Sequence, residues 1–103
     1  MKISHDDYYN IPDGQRNGKY EVEGHGTFYY VNGKCHRKNG PAIKYFDGTK
    51  EWCINDQFHR LDGPAREFSD GYSDYWIEGQ PYSTKEEFEA AVYLYKKGLQ
   101  DYL

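Results

Sequence analysis

The feature that most constrains this chain is a repeat of 23 residues. HRKNGPA at residues 36–42 returns as HRLDGPA at residues 59–65. A shift of 23 lays residues 29–51 on residues 52–74. Eight of the 23 positions are then identical: Asn32/Asn55, His36/His59, Arg37/Arg60, Gly40/Gly63, Pro41/Pro64, Ala42/Ala65, Asp47/Asp70 and Gly48/Gly71. Tyr29/Trp52, Val31/Ile54, Asn39/Asp62 and Tyr45/Phe68 keep their type. A period of about 20–50 residues marks units that bury a face only by stacking on a neighbour.

A third, truncated copy opens at Tyr75, where Ile77 matches Ile54 and Gln80 matches Gln57. A worn copy precedes the first, with Asn17-Gly18 and Gly26-Thr27 matching Asn39-Gly40 and Gly48-Thr49 at a shift of 22. The 103 residues are read as one domain. Residues 1–28 are an N-terminal segment with the worn copy. Residues 29–82 hold two full hairpin repeats and a truncated third. Residues 83–103 are a C-terminal helix and tail.

Each copy divides into turns and strands. Asp47-Gly48 and Asp70-Gly71 sit between alternating aromatic or branched segments, which predicts hairpins with type I′ turns. Asn32-Gly33, Asn55-Asp56 and Glu78-Gly79 mark a second class of turn. Asn39-Gly40-Pro41 and Asp62-Gly63-Pro64 mark a third, in which the proline interrupts a ladder. Residues 42–46, 49–54, 65–69 and 72–77 read as the strands between them. The fold class is therefore mostly β: an elongated antiparallel sheet of stacked hairpin repeats.

The pattern changes after residue 82. Ser83-Thr84-Lys85-Glu86 is a capping-box sequence, with Ser83 as the cap and Glu86 reaching back. Phe88, Val92, Tyr95 and Leu99 follow on one helical face. Gly98 ends or frays the helix. Glu86, Glu87 and Glu89 near its start and Lys96 and Lys97 near its end complement the helix dipole. Such a helix is expected to pack over the last hairpin and cap the open end of the sheet.

Charge is uneven. Residues 1–66 hold ten Lys/Arg against nine Asp/Glu, and residues 67–103 hold three Lys against eight acids. Phosphate contacts need Lys and Arg, so the C-terminal part is a poor nucleic-acid grip. It suits attraction to a basic partner, or a solvated face. No apolar run in the sequence reaches the length of a membrane span, and residues 1–10 contain no signal-type core. Cys35 and Cys53 form no disulfide framework and read as reduced thiols packed in strands. A cytoplasmic location is the expectation.

The pattern W-x-x-N-G-x-x-H-R-x-D-G-P-A is carried here by Trp52, Asn55, His59, Arg60 and residues 62–65. The preceding copy carries it with Tyr29, Asn32, Gly33, His36, Arg37 and residues 39–42. It resembles repeat proteins of bacteriophages and large DNA viruses, which are similar in style to MORN-type repeats. The resemblance covers roughly residues 26–99. Here Asp56 replaces a glycine and Asn39 an aspartate. The resemblance implies a small viral β-repeat protein without a common catalytic centre. It also implies a setting in which accessory proteins bind and disable host machinery, including nucleases and CRISPR effectors. A fold-level likeness identifies no site.

His36 and His59 invite a metal or catalytic reading. If each unit adds two strands, equivalent residues lie about 10 Å apart, too far to share an ion at Zn–N bonds of about 2.0–2.1 Å. Cys35 and His36, as strand neighbours, face opposite sides. No nucleophile turn or phosphate loop accompanies them. The expectation is a chain with no cofactor, no metal and no catalytic centre. His36, Arg37, Asn39, Gly40, Pro41, His59, Arg60, Asp62, Gly63 and Pro64 are then the fold's fasteners. In that reading Asn39 and Asp62 fix their turns. Arg37 and Arg60 pair bidentately with an aspartate of a neighbouring turn, such as Asp47, Asp62 or Asp70.

Specificity is then expected where the copies differ. Candidates for partner binding are residues 6–9, tyrosines read as exposed (Tyr30, Tyr72, Tyr75 and Tyr93), and the acidic stretch with Glu86, Glu87 and Glu89. The expected function is a non-catalytic inhibitor that occludes a basic surface of a host protein, itself nucleic-acid-binding, with no direct contact to nucleic acid or membrane. Self-association through sheet edges, as in a homodimer, is the alternative. A small metal-dependent enzyme is the second.

Overall fold

The computed structural model describes residues 1–12 and 14–98. The predicted helical position Leu99 and the tail beyond it lie outside the described residues. In chain order the elements are β1 (Lys2–Ile3), α1 (His5–Tyr9), β2 (Gly18–Val22), β3 (Gly26–Val31), β4 (Lys34–Cys35) and β5 (Ile43–Tyr45). Then come β6 (Lys50–Glu51), β7 (Cys53–Ile54), β8 (Gln57–Phe58), β9 (Arg66–Glu67), β10 (Ser73–Ile77), β11 (Gln80–Tyr82) and α2 (Lys85–Lys96).

One long sheet runs β1-β2-β3-β5-β6-β9-β10-β11, with β4 also paired to β3. The β7–β8 hairpin stands beside it as a second, two-stranded sheet. The stack measures 44 × 30 × 18 Å. The expected elongated β architecture with a C-terminal helix is what forms. One pair departs from the antiparallel rule: β1 lies parallel to β2, with Lys2 opposite Glu21.

The type I′ geometry expected at Asp-Gly forms instead at the second class of turn. Asn32-Gly33, Asn55-Asp56 and Glu78-Gly79 carry positive φ at both positions, from 47° to 82°. These are the two-residue type I′ turns. At Asp47-Gly48 and Asp70-Gly71 only the glycines have positive φ, at 96° and 94°. Gly48 N–H donates to the Tyr45 carbonyl at 3.0 Å, and Tyr45 N–H to the Thr49 carbonyl at 2.8 Å. This is a type I turn followed by a left-handed glycine, the three-residue hairpin loop. The aspartate is held out of type I′ by its own side chain. Asp47 Oδ1 accepts from Thr49 N–H at 2.8 Å, and Asp70 Oδ1 from Tyr72 N–H at 2.9 Å.

The strand predicted over residues 49–54 is broken at Trp52, where the chain leaves the long sheet for the β7–β8 hairpin. Trp52 N–H still donates to the Ala65 carbonyl at 2.7 Å, as Tyr29 N–H does to Ala42 at 2.8 Å. Ala42 and Ala65 are fully buried. No larger side chain fits between one unit and the next, which gives the repeated alanine its physical reason.

The core is three small clusters strung along the stack. Tyr8, Tyr20, Val22 and Phe28 form the first, Cys35, Ala42 and Cys53 the second, and Ile77, Phe88 and Ala91 the third. The helix α1 supplies Tyr8 to the first cluster and was not expected from the sequence. Ser4 caps it, its hydroxyl accepting from Asp7 N–H at 3.2 Å. At the other end the cap of α2 is Thr84, whose hydroxyl accepts from Glu87 N–H at 3.1 Å. The expected cap Ser83 lies one residue too early. Gly98, at φ 74°, follows the helix in the left-handed conformation.

Candidate partner-binding surfaces

The repeated motif must be placed before any surface can be called free. His36 Nδ1 accepts from Asn55 N–H at 3.1 Å, and His59 Nδ1 accepts from Glu78 N–H at 3.0 Å. Each imidazole therefore clasps the first residue of the next type I′ turn, with its ring proton on Nε2. The second residue of each turn donates to the carbonyl just before the imidazole: Asp56 N–H to Cys35 and Gly79 N–H to Phe58, both at 2.9 Å. A third clasp precedes these. Asn32 N–H donates to Asn17 Oδ1 at 2.6 Å, and Gly33 N–H to the Arg16 carbonyl at 2.8 Å. Asn17 thus stands where His36 stands, and not where Asn39 does.

The arginines complete the fastening. Arg37 and Arg60 each fold back to donate from Nη1 to the carbonyl of Pro41 or Pro64, both at 3.1 Å. Their guanidinium groups lie 4.1 Å from the Tyr29 ring centre and 3.9 Å from that of Trp52. A side chain at Gly63 would put its first carbon 2.9 Å from the Arg60 guanidinium carbon, so the guanidinium would have to shift from its place. Arg60 also bonds Asp62 and Glu67. Arg37 has no carboxylate within 4.0 Å among the described residues. Of the expected aspartate partners, Asp62 pairs with Arg60, through one bond and not two; the expectation is corrected for Arg37, which pairs with none of them.

Chemistry at these groups is muted. Burial pushes the His59 imidazole below its ordinary range, against a smaller opposing pull from Glu78. A hydrogen bond to the Cys53 thiol, followed by burial, pushes the Cys35 thiol up, so it is a poor nucleophile. No group of three His, Cys, Asp or Glu placed to hold a metal ion occurs among the described residues. No helix among them is long and apolar enough to cross a membrane.

The four tyrosines separate. Tyr72 and Tyr93 are 61% and 62% exposed. Tyr30 is half-buried, its hydroxyl bonded to that of Tyr8 and its ring near the Arg16 guanidinium. Tyr75 is half-buried too, its ring centre 4.6 Å from that of Phe88 under α2. These two belong to the core clusters, which corrects the expectation that they are exposed. In residues 6–9, Tyr8 is buried and Tyr9 is exposed. On α2, Glu86, Glu87, Glu89 and Tyr93 are all exposed. Their one ion pair among the described residues joins Glu89 to Lys85 at 3.9 Å. Tyr72 lines a shallow groove with Pro81, Tyr82 and Ser83, where α2 begins.

One exposed anchor escaped the sequence reading. Phe46 sits at the apex of the β5–β6 loop with 79% exposure. Its partner in the second copy is Ser69. That mismatch is the signal that would have found it, because it satisfies the same criterion of difference between copies.

The chain matches no known family model, no curated protein and no solved structure.

Proposed function

We propose that the chain is a non-catalytic protein-binding module. Its α2 end docks on a basic surface of a partner protein, and the partner is a host nucleic-acid-binding defence protein such as a nuclease or CRISPR effector. The observation that carries the docking mode is the face of α2. Glu86, Glu87 and Glu89 are solvent-exposed on the same helix as the exposed Tyr93, with a single long ion pair among them. Carboxylates left in water keep their field for an approaching cation, and such a field raises association rate and gives it a salt dependence. Tyr93, and Tyr72 at the adjoining groove, add contact area at low entropy cost. The class of partner rests on the motif resemblance.

Assembly through sheet edges has less to support it. One edge strand, β1, has two residues. The other, β11, contains Pro81, which donates no hydrogen bond.

The test is a triple charge reversal, Glu86→Lys, Glu87→Lys and Glu89→Lys, compared with the unaltered chain in pull-downs from host lysate over a salt series. A far-ultraviolet circular dichroism spectrum confirms folding. Loss of capture together with loss of its salt dependence supports the docking mode. Unchanged capture by the folded variant rejects it.

A further inference from the structure

The two copies of the motif differ in how their arginines are neutralised, and the difference opens on a groove. In the second copy Arg60 Nε donates to Asp62 Oδ1 at 2.9 Å, and Nη1 reaches Glu67 Oε2 at 3.2 Å. Its neighbour Leu61 packs against the cluster under α2. At the matching positions the first copy has Asn39 for Asp62, Lys44 for Glu67 and Lys38 for Leu61. Both carboxylates are gone, and two cations have been added.

Arg37 consequently makes one side-chain hydrogen bond among the described residues, from Nη1 to Pro41. Its Nε and Nη2 are the adjacent donors that a carboxylate bridges side-on. In the second copy the protein's own Asp62 takes the Nε position. In the first copy the position is open.

Arg37 and Lys38 line a groove of about 670 Å³ together with Trp52, Ile54 and the Arg60–Asp62 ion pair, so its one carboxylate is already matched and, among the described residues, its two unpaired charges are both positive. That volume falls in the range of sites that hold a small ligand or a few peptide residues, about 300–1,000 Å³.

We infer that this groove is a binding site for an acidic peptide segment of a partner protein. A carboxylate bridges Arg37 Nε and Nη2, a second acidic side chain meets Lys38, and an apolar side chain rests on Trp52 and Ile54. The same cations would attract phosphate, but a nucleic acid is disfavoured. Only two cations here lack a carboxylate partner, the chain is net negative at −4, and polyanion binding needs a longer track of cations. The site adjoins the α2 end, since Leu61 and Asp62 also line a pocket with Lys85 and Glu89, but neither of its two unpaired cations lies on α2.

The probe is a fluorescein-labelled hexapeptide of four glutamates and two central phenylalanines, titrated by fluorescence anisotropy at low salt. The decisive variant gives the first copy the residues of the second: Lys38→Leu, Asn39→Asp and Lys44→Glu. It supplies Arg37 with internal carboxylates and should melt no lower than the unaltered chain. Its affinity for the peptide should fall by about tenfold or more, the loss expected for charge-assisted hydrogen bonds. Lys38→Leu alone should give a smaller loss in the same direction, which covers a failure of the triple variant to fold. The α2 charge reversals remove no residue of the groove and should not weaken peptide binding, so a loss of host capture by them is distinguishable from a loss of this site. Three results overturn the inference: no binding of the peptide, equal binding by the folded triple variant, or tighter binding of a single-stranded oligonucleotide of equal charge.

Discussion

Arg66 and Asp74 meet at two points across the β9–β10 hairpin, Nε to Oδ1 at 2.9 Å and Nη2 to Oδ2 at 2.6 Å. Asp74 Oδ1 also accepts from the Trp76 indole at 2.7 Å. The Arg66 guanidinium lies about midway among Phe58, Phe68 and Trp76, 4.8–5.1 Å from their ring centres. Both side chains are largely out of water. Asp74→Ala should leave a mostly buried guanidinium without its partner and destabilise the fold by about 2–3 kcal/mol. Urea unfolding followed by tryptophan fluorescence measures it. A cost under half a unit would show that the pair is solvated.

The clasp at His59 should give a pH dependence. Its imidazole titrates below its ordinary value of 6.5 because of burial. The unfolded chain therefore binds the proton more readily, and this contribution to stability is present above about pH 6.5 and lost as pH falls below it. Protonation also removes the Nδ1 acceptor from Glu78 N–H. Glu78 and the Tyr95 ring face the imidazole, and Tyr95 bonds Glu78 at 2.9 Å. Glu51, raised by burial, contributes with the opposite sign at lower pH. His59→Asn keeps an acceptor and cancels Glu51 in the comparison. Melting temperatures over pH 5–7.5 should fall more steeply with acid for the unaltered chain than for the variant.

Two kinds of glycine should fail for different reasons. Gly48 and Gly71 have open space around a would-be side chain, but their φ values are 96° and 94°. Alanine there should cost about 1–2 kcal/mol from backbone strain alone. Gly63 is not in that region, and alanine there meets the Arg60 guanidinium instead. Gly63→Ala combined with Arg60→Ala should therefore cost less than the sum of the two changes, whereas Gly48→Ala with Arg60→Ala should be additive. Denaturant unfolding of the double-mutant cycles separates them.

The cap of α2 gives a paired test. Thr84→Ala removes the hydroxyl that accepts from Glu87 N–H and should cost about 1 kcal/mol. Ser83→Ala removes no cap bond and should be close to neutral. Thermal melts of the two single variants decide it, and the reverse order would restore Ser83 as the cap.

Cys35 and Cys53 are buried next to each other, with the Cys35 thiol held protonated. Neither should react with a water-soluble thiol reagent while the chain is folded, and both should react in denaturant. Rapid labelling of the native protein, counted by mass spectrometry, would contradict the packing of the middle cluster.

The repeat letters made the stack legible because a unit that stacks must repeat its contacts. His36 and His59, Ala42 and Ala65, and Arg37 and Arg60 all make equivalent hydrogen bonds one period apart. Type I′ fails at Asp47-Gly48 and Asp70-Gly71 because Asp-Gly carries two competing signals. It tolerates type I′ angles, yet Asp47 prefers to bond Thr49 N–H and so leaves the left-handed angle to glycine alone. The letters align Asn17 with Asn39, while its role is that of a histidine: a side-chain acceptor one residue after a carbonyl that accepts from the same turn. The helix α1 is five residues long, too short for periodicity, and tertiary packing of Tyr8 maintains it. Of the proposed binding surface, the acids of α2 were legible because helical spacing faces them outward. Tyr30 and Tyr75 were not, since a tyrosine's composition signal is the same whether its ring paves a surface or fills a cluster.

The pitch of the stack has a geometric consequence. Each 23-residue unit advances the long sheet by two strands, about 10 Å. The groove at Arg37 and the acids of α2 therefore sit at a separation fixed by counting units, as marks on a ruler, with no flexible linker between them. Duplicating residues 52–74 would move Arg37 and the acids of α2 apart by one such division. A partner that engages both would register that single step as a mismatch.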